Sequence, residues 1–380
     1  MSGQRAWVAM SGGVDSAVAA SLLREQGWEV VGATLRLWRL GAEGAAGSAE
    51  ADNAEDVAAA AAACAQLAIP HRVVDQRAAF YRDVVEPFLD DYARGRTPNP
   101  CLRCNQRIKF GALLDAARAA GYTHLATGHY ARVVRGADGW ELWRGADPAK
   151  DQSYFLYMLQ TEQLQAVLLP LGEWTKERVR AYARARGLAA EERPESQDIC
   201  FVGGAGYQRL IQERRPEAAR PGPIYDAAGR HLGQHAGLAF FTVGQREGLR
   251  LAAPRPLYVL ALDVARNALV VGHAEELGHD ALLAEEMRYT AGQPVGAGAP
   301  VMAKIRYRAR EAPAVVWPLP DARAHIVFRE PLRDIAPGQA VVLYAGERVV
   351  GGGIIAQVLG AQALHATGNP ACAQGGDDRC

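Results

Sequence analysis

The stretch RAWVAMSGGVDSAVAASLLREQG constrains this chain more than any other: an apolar run of strand character passes directly into Ser11-Gly12-Gly13-Val14-Asp15-Ser16, and then into a helical pattern that closes at Gly27. A strand that feeds a helix through a turn of small residues is the repeating joint of parallel α/β folds. It also collects unpaired backbone N–H groups at a helix N-terminus, where the macrodipole favours an anion. Gly12 and Gly13 let oxygen atoms approach the backbone closely, and the Ser11 and Ser16 hydroxyls add donors, so a phosphate fits this turn. The run lacks the lysine of a G-x-x-x-x-G-K-[ST] loop and is not a dinucleotide G-x-G-x-x-G. Asp15 is placed either to help hold a magnesium ion near the phosphates or to cap the helix.

The alternation continues to about Ala131. VVGATLRLW reads as a second strand, an alanine-rich helix starts near Asn53, HRVV is a third strand, and ATGHYARVV is expected to end the sheet. The expected fold is a doubly wound parallel-sheet α/β domain over residues 1–205. GAEGAAGSAEA reads as a surface loop, and GRTPNPCLRCN as a long loop before a helix from Gln106 to Ala120. DQSYFLYMLQ and TKERVRAYARARG read as further helices, the second opening on Thr175 as N-cap and closing at Gly187. Beyond SQDICFVGG the texture turns to hairpins, GPIYDAAGRHLGQH and LYVLALDVARNALVVG, which place a small central β-rich domain at 206–280. VMAKIRYRA, AHIVF, QAVVLY and RVVGGGII then predict a C-terminal β-barrel over 281–365, and 366–380 has too little apolar content to pack, so it is expected to be a disordered tail.

With 380 residues, several domains are expected, and 42 basic against 42 acidic side chains leave no net charge to announce a polyanion, so an RNA partner would have to be met by local patches. No apolar run is long enough to cross a bilayer, and MSGQRAWVAM has neither a basic n-region nor a long apolar h-region; the expectation is a cytoplasmic protein with no membrane contact. The six cysteines are too few and too unevenly spread for a secreted disulfide framework. Cys101 and Cys104 form a C-x-x-C beside Arg103 and Arg107, whose charges, with the helix N-terminus, are expected to depress a thiol pKa. No second C-x-x-C or histidine pair completes a zinc site. Cys64 reads as a buried small residue, Cys372 and Cys380 as inert, and His129 as a hydrogen-bonded structural histidine. Arg178, Arg180, Arg184 and Arg186 read as a solvated helix face, QERRPEAARPG as a basic loop, and Lys304, Arg306, Arg308 and Arg310 as one face of a strand that serves equally as solvated surface or RNA contact.

The six-residue turn resembles the S-G-G-x-D-S loop of pyrophosphatase-type ATP enzymes, which cut ATP between its α and β phosphates. SGGVDS, GRTPNPCLRCNQRIKF, ATGHYA, KDQSYFL, SQDICFV and TVGQREGL, in that order, resemble the bacterial tRNA-specific 2-thiouridylases, from the first strand to the end of the barrel. The resemblance implies ATP-dependent 2-thiolation of the wobble uridine of tRNA, with ATP and Mg2+ as cofactors and with tRNA and a sulfur-donor protein as partners. It implies nucleotide contacts at Ala9, Met10, Ser11, Gly12, Gly13, Val14, Asp15, Ser16, Leu35 and Gly128. It makes Cys104 the nucleophile and Cys200 the persulfide carrier, joined transiently as a disulfide. It lines the target base with Asn99, Pro100, Cys101, Lys150, Asp151 and Gln152, and places Arg306 and Tyr307 on the RNA. Cys101 stands where an aspartate is common in the family, so it is either an acid/base group or, with Cys104 and Cys200, a ligand of a [4Fe–4S] cluster. Other classes left open are a pyrophosphate-releasing ligase or amidotransferase acting on a small metabolite, and a cluster-bearing RNA-binding module.

Overall fold

The computed structural model describes residues 4–41, 50–188, 199–203 and 206–359. The expected tail, Cys372, Cys380, most of the GAEGAAGSAEA loop and the Ser-Gln-Asp before Ile199 lie outside the described residues.

A five-stranded parallel sheet forms the first layer, in the order His71–Asp75, Glu29–Arg36, Arg5–Ala9, His124–Ala126, Val167–Leu168. The sequence order therefore reverses beside the central strand Arg5–Ala9, and the crevice at its carboxyl end is where open α/β sheets bind ligands. Strand periodicity sorts the apolar residues onto two faces. Trp7, Val31, Ala33 and Leu125 pack with Phe80, Phe88, Leu102 and Ile108 on one side. Val8, Met10, Val30 and Ala126 pack with the helix Val14–Glu25, with Cys64 and with Val179 on the other. The doubly wound architecture expected from the alternation is present, and Cys64 is buried as expected.

ATGHYARVV does not end this sheet. Only His124–Ala126 belongs to it, and the edge strand comes later, at Val167–Leu168. Ala131–Arg135 pairs with Trp140–Arg144 as a hairpin, and that hairpin joins the C-terminal sheet through Arg348↔Trp143 and Val349↔Leu142. A strand pattern reports burial on its faces and says nothing of the partner at its edge.

Both central hairpins form, in a four-stranded sheet of Gly222–Asp226, His231–His235, Tyr258–Asp263 and Ala268–Gly272. The C-terminal sheet closes as a six-stranded barrel when His279–Tyr289 pairs with Arg348–Leu359, and two of its strands, His279–Tyr289 and Ala312–Leu319, were not among those read from the sequence. DQSYFLYMLQ is not a helix: it makes one 3-10 turn, Ser153–Phe155, and buries Tyr154, Leu156, Tyr157, Met158 and Leu159 on every side. QERRPEAARPG likewise continues a helix, Gly206–Arg214, into a 3-10 turn at Pro216–Ala219, with Arg215 paired to Asp90 at 2.8 Å. No helix among the described residues is long and apolar enough to cross a membrane.

Candidate active site

The loop after the first strand is braced within itself. Ser16 Oγ donates to the Gly13 carbonyl at 2.9 Å and accepts the Ser11 N–H at 3.2 Å, while Gly13 N–H donates to Ser11 Oγ at 3.4 Å. Gly12 takes φ +76°, a conformation open to glycine at no steric cost. Gly13 occupies the N-cap position of Val14–Glu25 and brings no side chain to it. Gly128 is pressed onto this loop: a Cβ there would stand 2.8 Å from the Asp15 carbonyl carbon and 2.9 Å from Ser16 N. Leu35 lies at the carboxyl end of the neighbouring strand, with its carbonyl accepting from Asn53 Nδ2 at 3.0 Å. The phosphate-loop residues, Leu35 and Gly128 thus share one edge of the sheet.

Asp15 does not cap the helix. Its carboxylate pairs with Lys176 Nζ at 2.7 and 2.8 Å and accepts the Tyr130 hydroxyl at 2.8 Å. Thr175 caps the helix Lys176–Ala185 as expected, accepting Arg178 N–H at 3.2 Å. The basic face of that helix is not simply solvated: Arg178 stacks on Trp174, and Arg186 stacks on Tyr182 and pairs with Glu25 at 2.8 Å.

The C-x-x-C is not on a loop. Asn99 accepts Cys101 N–H at 3.2 Å, Pro100 takes the first helical position, and one helical segment then runs from Pro100 to Ala119. An Asn-Pro start is the ordinary signal for a helix N-terminus, and here the density of prolines masked it. The stretch Cys104–Leu113 has the wide i→i+5 turn of a π-helix, and Lys109 within it acts electrostatically on Cys104. Cys200 arrives from a separate segment, held by Phe201, whose ring packs edge-on against Phe80 at 5.6 Å and Phe88 at 5.3 Å. The Phe201 carbonyl also accepts Leu40 N–H at 2.9 Å.

Cys101, Cys104 and Cys200 lie close enough for their charges to act on one another, and Lys109 acts on all of them. Their pKa values are raised, against the expectation from Arg103 and Arg107. Burial dominates, pushing Cys104 up to about 11 and Cys200 up to about 12, with Lys109 pulling the other way. Arg103 faces Glu286 instead, at 3.7 Å. Cys101 and Cys200 nevertheless keep solvent-accessible surface, while Cys104 is buried. His129 links this centre to the phosphate loop. It follows Gly128, bonds Thr127 Oγ1 through Nδ1 at 2.7 Å, packs on Phe110 at 5.9 Å, and is held neutral by burial and then by Lys109.

Three family models cover the chain in order: a tRNA methyl transferase HUP domain over residues 4–204, a tRNA methyl transferase PRC-barrel domain over 208–273, and an aminomethyltransferase beta-barrel domain over 279–355. The tRNA-specific 2-thiouridylase MnmA of Roseiflexus castenholzii is 48% identical over 366 residues, covering 92% of this chain and 98% of that one. Those of Moorella thermoacetica and Magnetococcus marinus are 49% and 48% identical, covering 92% and 93% of this chain and 99% of each relative. The chain belongs to the tRNA-specific 2-thiouridylase family.

In this 2-thiouridylase, several residues expected around the target base are held by internal bonds. Asn99 is the cap of the cysteine helix and Pro100 is buried behind it. Asp151 is buried and accepts from Gly145 N, Ser153 N and Ser153 Oγ, each at 3.0 Å, so its carboxylate shapes the Lys150–Gln152 turn. Gln152 bonds both ways with the Tyr130 backbone, tying that turn to the residue that contacts Asp15. The strand carrying Lys304 stops there. Arg306 donates to the Val243 carbonyl at 2.9 Å and Tyr307 packs on Phe155 at 4.4 Å, which sets both at the seam between barrel, central sheet and first domain instead of along one strand face. Among the described residues, no group of three His, Cys, Asp or Glu side chains is arranged to hold a metal ion. Sequence reasoning missed Lys109 and Lys176. The first was signalled only by its spacing from Cys104 in a π turn, the second by nothing local.

Proposed function

We propose that this chain carries out ATP-dependent 2-thiolation of the wobble uridine of tRNA. What supports it is that Cys104 and Cys200, from segments far apart in sequence, lie near enough for their charges to interact, with Gly128 pressed onto the phosphate loop and His129 next to it. A HUP domain fits the use of ATP. The uridine O2 attacks the α-phosphorus, pyrophosphate leaves, and the carbon–oxygen bond becomes displaceable as AMP. The outer sulfur of a Cys200 persulfide then attacks C2 and expels AMP. The Cys104 thiolate attacks the Cys200 sulfur, freeing the thiolated base and leaving a Cys104–Cys200 disulfide. Alternatively, Cys104 first releases hydrosulfide from the persulfide, which makes the same attack and leaves the same disulfide. A two-electron thiol reductant restores both thiols, as a reducing cytoplasm supplies.

The accessible surface at Cys200 supports loading by a sulfur-donor protein, and Mg2+ enters with the nucleotide. Cys101, exposed on the first turn of its helix, serves as a proton carrier beside the base, with Asn99, Pro100, Lys150, Asp151 and Gln152 framing it and Arg306 and Tyr307 facing the RNA side. The HUP description speaks of methyl transfer. Two thiols at a phosphate loop favour sulfur transfer, as the names of the relatives do. We place the domain limits near 205 and 280. The test is pyrophosphate release with and without purified tRNA: release that requires tRNA and parallels 2-thiouridine formation is expected, and tRNA-independent release driven by a small metabolite would overturn the assignment in favour of a ligase.

A further inference from the structure

We infer that Lys176 is the phosphate-binding cation of the Ser11–Ser16 loop, delivered from the Lys176–Ala185 helix in place of a lysine within the loop. The inference rests on the ATP assignment and deepens it. The loop itself contains no lysine or arginine, yet cleavage between the α and β phosphates concentrates negative charge on the departing pyrophosphate. Lys176 is 8% exposed, an unusual position for an ammonium, and its Nζ reaches both oxygens of Asp15, the acidic residue of the loop. A buried charge of this kind is costly unless paired, so its placement over an anion-binding turn calls for a use beyond stability.

Its backbone is fixed from two sides. Lys176 N–H donates to Asp147 Oδ2 at 2.9 Å, and the preceding Thr175 caps the same helix turn. Asp15 meanwhile also accepts from Tyr130 Oη, so its charge stays partly compensated when Lys176 turns to a phosphate. The four-carbon stem then needs only to shift its tip from the Asp15 carboxylate to oxygens bound at the neighbouring N–H groups. Lys176 and Asp15 thereby form a resident ion pair whose cation the incoming polyanion recruits.

Equilibrium binding of ATP, inorganic pyrophosphate and AMP to the full chain tests this without relying on turnover, using Lys176→Arg, Lys176→Met, Asp15→Asn and Asp15→Asn/Lys176→Met. The double variant removes the Asp15 charge together with Lys176 and so guards against a defect that comes only from breaking their pair. Relative to Asp15→Asn, the double variant is expected to lose about tenfold to a hundredfold in pyrophosphate and ATP affinity, the scale of one lost charged hydrogen bond, with AMP changed by about twofold at most. Lys176→Met repeats that selectivity, and Lys176→Arg retains most of the binding. Equal weakening of ATP and AMP, or unchanged pyrophosphate affinity in the double variant, would overturn the inference. Failure of the wild-type chain to bind ATP or pyrophosphate would instead break the ATP assignment on which it rests.

Discussion

The phosphate loop and the thiol centre are linked through Gly128 and His129 but are assembled in different ways. Ser11 and Ser16 brace a turn with bonds that all fall within a few residues of each other. Cys104 and Cys200 depend on a helix on one face of the sheet and on an aromatic anchor, Phe201, sunk among Trp38, Phe80 and Phe88. One end is prepared locally, by residues adjacent in sequence. The other gathers its thiols from separate segments, and burial pushes both of them up although Lys109 pulls the other way. The comparison implies that damage at one end should spare the step performed at the other.

The largest expected effect breaks the thiol centre outright. Cys104→Ser and Cys200→Ser should each lower 2-thiouridine formation by about a thousandfold or more, because on the proposed route each removes a nucleophile, whereas Cys101→Ser should retain far more. Liquid chromatography of digested tRNA reads the product, and equal losses in all variants would erase the distinction drawn among these cysteines. Phe201→Ala should cost about 3–5 kcal/mol of packing, concentrated around Cys200, and slow sulfur transfer by roughly a hundredfold while changing tRNA-dependent pyrophosphate release by only about threefold. Gly128→Ala should do the reverse: its Cβ collides with the Asp15 and Ser16 backbone, so ATP binding should weaken by about tenfold at a cost near 1–3 kcal/mol.

A smaller effect follows from charge. Lys109 lowers the pKa of all three site thiols, so Lys109→Met should raise them further. Since only the thiolate attacks, the rate near pH 7 should fall by about tenfold and the rising limb of the pH–rate profile should move to higher pH. A uniform drop at every pH would point to lost packing instead. The smallest is Thr175→Ala, which removes the cap of the Lys176 helix and should cost about 1 kcal/mol in urea unfolding.

The two ends also differ in how far they can be read from sequence. The phosphate turn was legible because its chemistry is contiguous, and the alternation of strands and helices around it identified the sheet. The helix start at Asn99-Pro100 is hidden among prolines that also suit a loop, and the Ala131–Arg144 hairpin joins the C-terminal sheet through an edge partner that leaves no local trace. Lys176 reaches Asp15 across a fold-dependent distance that no spacing rule encodes, and the arginines beside the C-x-x-C misled because burial outweighs neighbouring charge there. The pairing of Cys104 with Cys200 is an expectation from family resemblance, and only the fold shows that their charges interact.

The most direct measurement is a single turnover of the persulfide-loaded chain with tRNA and ATP in the absence of reductant, quenched in acid and mapped by peptide mass spectrometry. A Cys104–Cys200 disulfide formed in step with one equivalent of 2-thiouridine is the predicted result. Product formed with those two thiols still free, or with the disulfide running to Cys101, would contradict the account.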